Sequence, residues 1–444
     1  MRLETLLWDE MVNLKEKIIN IIDNIYVLNF IMILAIVSCF YPISSSTSIL
    51  GYFSLIYLAF HWRNITKNKL FITIMLFFGW IFVSVVLTYN DFLNYTSSFI
   101  EKDIKYFLLF LAASLIIPVI GFKNFIIKFL SVGTIFTFLG YLEVILGNNL
   151  DWFFHIFRNR TENIHLYLFN DVPRLLSISR NLDPNFVGFI IAVLLVTTFA
   201  IFLYKLETLK KIDKKYFAGN IFFGIALLLT ASRGAILIAL FSIIILLLSF
   251  AIKRNSKSAK ILLSLVILLP ILGTVLMGII FPDNILTHKI LLLANHETWR
   301  AGTSEGMRFE MWNLSINILK DNPFFGVGPT GFEVCTKLPE YYVESLFKHN
   351  FRDPHNFILS VGMFGGIPGI ILIVSILIQS LYKNFNGITE ILNLEKIILL
   401  GWTLCFIGTS IFEYSLTEQC KLIFLYLFFS CIIMKDDENE NRYR

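Results

Sequence analysis

Long apolar runs alternate with short polar breaks along this chain, and most runs are close to 20 residues long. A hydrocarbon layer of about 30 Å takes about 17–25 helical residues per crossing. The pattern therefore predicts spans at 26–43, 47–62, 70–89, 104–121, 124–147, 184–204, 216–231, 232–252, 261–281, 356–382, 397–413 and 415–434. The junctions at 231/232 and 413/415 leave almost no connecting loop.

Two polar segments, 148–183 and 282–355, break the rhythm at length. The second contains a helical pattern from Ser304 as N-cap to Asp321, with Met307, Met311, Leu314 and Ile318 on one face. "NPFFGVGP" then supplies a stop at Pro323 and a turn at Gly326 and Gly328. Such a helix is expected to rest on the bundle or on the headgroup layer. Residues 1–25 carry Leu3, Leu7, Met11, Leu14, Ile18 and Ile22 near helical spacing, as expected of a segment lying on a membrane surface. The fold class that follows is an all-α polytopic membrane protein of about twelve transmembrane helices. Residues 26–434 form the membrane domain, with short helices in the loop between spans 9 and 10.

Composition agrees: 56% of the 444 residues are hydrophobic and 16% charged, against about 25% charge in a soluble domain. The net charge of +5 is spread over the loops and gives no reason to expect nucleic acid as a partner. Five cysteines make no disulfide framework. Basic loops stay in the cytoplasm, and the basic stretches 61–69, 205–215 and 253–260 alternate with the other loops. Both termini, including the polar tail 435–444, are then expected inside, and 148–183 and 282–355 outside.

This topology separates the two basic residue types. Eight of the 13 arginines face outward (158, 160, 174, 180, 233, 300, 308 and 352), against seven of the 24 lysines. The topology rule treats Arg and Lys alike, so another property of Arg is at issue. Its planar fork of donors grips a phosphate two bonds at a time. Arg233, in "LLLTASRGAILIAL", lies where two spans meet. Two readings fit it by itself: a helix cap that snorkels to the interface, or an anion site, since a charge there is costly and usually functional. Arg308 and the outward bias favour the anion site.

Three stretches resemble the O-antigen ligase and O-antigen polymerase family of bacterial membrane glycosyltransferases: "TASRGAILIAL" (230–240), "MRFEMWNLSINILKDNPFFGVGPTGFE" (307–333) and "PHNFILSVGMFGGIPGI" (354–370). The resemblance covers roughly 217–380 and lies in the order of the elements. A Ser-Arg-Gly opens a span, an Arg-x3-Trp helix runs into Pro-x2-Gly-x-Gly, and a His-Asn precedes a glycine-rich span. "RNLDPNFVGF" (180–189) is a weaker similarity. The resemblance implies transfer of a saccharide from an undecaprenyl-diphosphate carrier to an acceptor hydroxyl, in the bacterial inner membrane, with the site facing the periplasm or outside. It implies His355 as the catalytic base, and Arg233 and Arg308 as the groups that hold the diphosphate. Arg180 is a further candidate for that role, and Arg352 and Asn356 are assigned to substrate binding at the same polar mouth. No metal and no cofactor is implied. The expected partners are lipid-linked donor and acceptor, membrane lipids and other polysaccharide-assembly proteins of the membrane.

The residue types suit that chemistry. Fixed cations lower a barrier in which negative charge grows on a leaving group, and imidazole, with an ordinary pKa near 6.5, can take a hydroxyl proton near neutral pH. By residue type alone, His355 could instead cap the helix with Asn356 or pair with Asp353. His349 and His355 form no metal set, since no further ligand follows at the right spacing. Gly362, Gly365, Gly366 and Gly369 are expected to let helices pack closely. Glu143 and Glu413 read as bundle-facing contacts or as sugar-binding groups. The matched motifs are shared by polymerases, which extend a lipid-linked repeat unit, and ligases, which load lipid A core or another acceptor. Polymerase is the expected activity. A transporter of lipid-linked sugars, with paired halves and broken helices, is the rival class.

Overall fold

Each apolar run folds as a helix because, away from water, a backbone N–H or C=O needs a partner inside its own segment. The computed structural model describes residues 12, 14–41, 44–65, 67–88, 96–146, 168–169, 172–173, 175, 184–280, 304–329, 331–347, 353–388, 392–412 and 419–434. A short helix, α1 (Leu14–Ile22), meets α2 (Ile25–Phe40) at 54°, and the Asn24 side chain accepts from the Tyr26 amide at the junction. There follow α3 (Ser44–His61), α4 (Lys69–Leu87), α5 (Thr96–Ile120) and α6 (Phe122–Leu146). A two-residue hairpin, β1 (Leu168–Phe169) with β2 (Val172–Pro173), lies in the first long polar segment. Then come α7 (Pro184–Leu209), α8 (Lys214–Leu229), α9 (Arg233–Lys253) and α10 (Lys257–Ile280). The second polar segment holds α11 (Ser304–Asp321), α12 (Gly331–Cys335) and α13 (Glu344–Phe347), and α14 (Phe357–Phe385), α15 (Leu394–Phe412) and α16 (Gln419–Ile432) complete the chain.

A helix stands at each of the twelve predicted positions. Among the described residues, the helices 69–87, 122–146, 185–209, 233–253 and 357–385 are each long and apolar enough to cross a membrane. The whole is a helical membrane protein.

At its centre lies α7, packed against α8, α9 and α15. Apolar surface gains little by leaving lipid, so close packing and interhelical hydrogen bonds hold such helices together. Both are present. A Cβ on Gly401 would come within 2.7 Å of Val196 on α7, and one on Gly188 within 2.8 Å of Ala235 on α9, so hydrogen at these positions sets the helix spacing. The fully buried Trp402 donates from Nε1 to Thr197 Oγ1 at 2.7 Å. Its ring lies against Phe129 and Phe424, and Phe424 stacks on Phe406.

Against expectation, α14 is not continuous. Gly365 (φ −141°, ψ 16°) and Gly366 (φ 62°, ψ −163°) interrupt it. Gly366 is therefore a conformational requirement rather than only a small surface for packing, since side chains rarely adopt its backbone geometry. The turn 323–328 fills the gap. Val327 and Gly328 amides donate to the Met363 carbonyl at 2.8 and 3.0 Å, and the Ile367 amide donates to Pro323 at 2.8 Å. From α4, Trp80 Nε1 donates to the Gly365 carbonyl at 2.7 Å. The Ser84 hydroxyl is placed to donate to Phe364 at 2.8 Å or to Phe325. A broken helix leaves orphan backbone groups that are tolerated in a membrane protein only when buried and paired, and here the turn and α4 supply the partners. The expected turn at Gly326 and Gly328 is present, with φ of 65° and 78°.

Candidate active site

Arg233 is the first residue of α9 and is exposed. The turn before it is three residues, Thr230 to Ser232, with Ala231 in the left-handed region at φ 51°. Thr230 Oγ1 accepts from the Ser232 amide at 3.2 Å, and Ser232 Oγ accepts from the Ala235 amide at 3.4 Å, capping the helix. Gly188 of α7 makes room for this turn, because a Cβ there would sit 2.9 Å from Ser232 Cβ. The glycine of the 180–189 similarity thus has a packing role. Leu175, fully buried, donates its amide to the Leu229 carbonyl at 2.9 Å, so this residue docks beside the same turn.

Arg308 lies in the second turn of α11 and is half-buried. Met311, Leu314 and Ile318 are buried, and α11 packs on α14 and α13, so this helix rests on the bundle. Trp312 Nε1 donates to the Pro354 carbonyl at 3.1 Å, which ties the Arg-x3-Trp helix to the residue before His355. Residues 312 and 323 of α11 and its stop thus meet 354 and 367 in the same order, and α11 runs parallel to the first half of α14.

His355 takes a left-handed backbone at φ 49°. Residues held in such sparsely populated regions cost on the order of 1–3 kcal/mol and collect at functional sites. The buried Asp353 offsets that cost: its Oδ1 accepts from the His355 amide at 2.9 Å and lies 3.9 Å from His355 Nδ1. Asn356 is the N-cap of α14, its Oδ1 accepting from the Leu359 amide at 3.0 Å. The capping role open to His355 therefore falls to Asn356, and His355 keeps its carboxylate neighbour. Trp312 is legible only through the Arg-x3-Trp motif, and Asp353 through its place two residues before a His, an Asx-turn spacing. Trp80 and Ser84 carry no such signal in the sequence.

Arg233 and His355 stand at the same end of the bundle. Lys253 Nζ, at the far end of α9, donates to the Phe385 carbonyl at the far end of α14, 3.0 Å away. Counted back from that contact at 1.5 Å per residue, Arg233 and Gly366 are each about 29 Å away, so Arg233 is level with the break. His355 lies on the other side of the break, before the first half of α14, and the Trp312–Pro354 bond sets the Arg308 helix beside it. Arg180, Arg352, His349 and Glu413 lie outside the described residues. Glu143 is buried in α6. Among the described residues, no three His, Cys, Asp or Glu side chains form a metal-holding group.

A family model described as O-antigen ligase matches residues 218–374, from α8 into the second half of α14. The match covers nearly the stretch where the motifs resemble the O-antigen ligase and polymerase family. No curated protein matches the chain.

Proposed function

We propose that this protein is a surface-polysaccharide polymerase, transferring a glycan chain from undecaprenyl diphosphate to a hydroxyl of a lipid-linked repeat unit on the outer face of the membrane. The observation that carries the reading is the Trp312–Pro354 hydrogen bond, which joins the Arg308 helix to the His355 turn inside the matched region. In this mechanism His355 accepts the proton of the acceptor hydroxyl as its oxygen bonds to the anomeric carbon. The bond from that carbon to the phosphate oxygen breaks, and the lipid diphosphate leaves with the electron pair. Arg308 and Arg233 stabilise the charge gathering on it, with Arg180 as a third cation and Arg352 and Asn356 lining the acceptor mouth. No metal enters the scheme. The height of Arg233, level with the break, suits a diphosphate held at the lipid surface while the sugar reaches past the break to His355.

Twelve crossings with both termini in the cytoplasm put this mouth in the periplasm or outside, as the basic loops require. Ligation to lipid A core or another acceptor is the second reading, favoured by the description of the matched family model. Deleting the gene in its host and sizing the surface glycan separates the two. Glycan cut to one repeat unit supports the polymerase, and full-length chains left on the carrier support the ligase. His355→Ala in the same strain is expected to reproduce the deletion at normal protein level. Near-normal glycan in that variant would remove the base role.

A further inference from the structure

A second polar site lies on the other side of α11. A cleft of about 500 Å³ separates this helix from the segment around Tyr342, a size ordinary for small-molecule sites. Glu310, Asn313, Asn317 and Asp321 line it from α11, a polar stripe about 17 Å long at helical rise. The facing wall is Glu340, Tyr341 and Tyr342. Tyr341 donates to Asp321 Oδ2 at 2.6 Å and so closes one end. That hydrogen bond, with burial, holds the Tyr341 phenol above its ordinary range. At 100° per residue, Asn317 projects opposite to Arg308, so the cleft is distinct from the reacting centre.

Its chemistry narrows the ligand. Amides and carboxylates both serve ligands dense in hydroxyl groups, the amide as donor and acceptor and the carboxylate as acceptor. Tyrosine offers an apolar ring face with a polar tip. Three carboxylates face one ammonium, Lys320, so a polyanion would be repelled, and a lipid tail would leave the charged and amide groups along α11 without hydrogen-bond partners. We infer that this cleft is a distal subsite for several residues of a neutral or amino-sugar-containing glycan, steadying the chain whose end is at His355. This rests on the glycosyltransferase reading for its purpose but not for its binding chemistry.

The test uses the full-length protein in detergent and the host's own surface glycan, released by mild acid and fractionated to short oligomers, with oligogalacturonate as an acidic control. Binding is followed by saturation-transfer NMR and titration calorimetry. Wild type and His355→Ala are both expected to bind the neutral oligomers, with the tyrosine ring protons among those transferring. Tyr342→Ala and the cleft-filling Asn317→Trp are each expected to weaken binding at least tenfold with unchanged thermal melting. Equal binding by both variants, no binding by wild type, or equal binding of oligogalacturonate overturns the proposal. Binding at the cleft in a protein that never transfers glycan leaves this subsite standing and removes the glycosyltransferase reading instead.

Discussion

The two halves of the mouth end are held by different forces. Around α7, α9 and α15 the helices are unbroken and side-chain packing joins them, with glycines 188 and 401 in close contact and Trp402 among the phenylalanines, while the capped turn 230–232 sets Arg233 at their end. Around α4, α11 and α14 the backbone itself is the joint, with the 323–328 turn hydrogen-bonded into a helix break. Packed side chains can shift by a few tenths of an ångström when one atom is added. A backbone joint has no such freedom, because every displaced carbonyl or amide is left unpaired at about 1–3 kcal/mol. The half that carries Arg308 and His355 should therefore be the more brittle one.

The largest expected effect breaks that contrast if it fails. Gly366→Ala demands an alanine at φ 62° and ψ −163°, a region essentially reserved for glycine that costs on the order of 1–3 kcal/mol, and drives its Cβ into the Phe324 carbonyl. Loss of folded protein is expected by gel filtration and thermal melting in detergent. Gly401→Ala meets only a valine methyl at 2.7 Å, and it should lower the melting temperature while leaving the protein folded. Equal outcomes would erase the distinction.

Next come the arginines, one in each half. Arg233→Lys and Arg308→Lys keep the charge and lose the fork. Each is expected to lower transfer about 10- to 100-fold, matching the roughly 1.5–3 kcal/mol of a hydrogen bond to a charged group. Free substitution by lysine at either position would detach that half from the reaction.

A smaller change sharpens the role of the joint. Trp80→Phe retains stacking on Phe325, now at 5.3 Å between ring centroids, but strips the Gly365 carbonyl of its donor. A loss of about 1–3 kcal/mol is expected for the buried orphan. Trp402→Phe leaves Thr197 still bonded to the Val193 carbonyl and should cost less, about 1 kcal/mol.

The smallest expected effect is on catalysis through position. Asp353→Ala removes the acceptor of the His355 amide, and kcat is expected to fall with KM little changed. Asp353→Asn keeps a carbonyl oxygen there and should restore most of kcat. No rescue by asparagine would mean that charge, not position, is what Asp353 supplies.

Much of this was readable from residue order. Runs near 20 residues marked twelve of the helix positions, because a hydrocarbon layer sets the length of an apolar helix. Ser304 to Asp321, Pro323, Gly326 and Gly328 announced the loop helix and its turn, because caps and breakers act locally. The glycines of α14 misled for a physical reason. Gly365 and Gly366 have the same composition as a packing stripe, and only the arrival of a turn from forty residues upstream makes one of them a break.

By itself, the order of residues determined the helical membrane class, the family motifs and which side chains could do acid–base and phosphate chemistry, since these depend on hydropathy, spacing and residue type. Tertiary structure alone decided that Trp312 reaches Pro354, that Asp353 holds a strained His355 and that α14 opens to admit a loop. Those outcomes depend on hydrogen bonds between groups distant in the chain, and no local pattern records where such partners will meet.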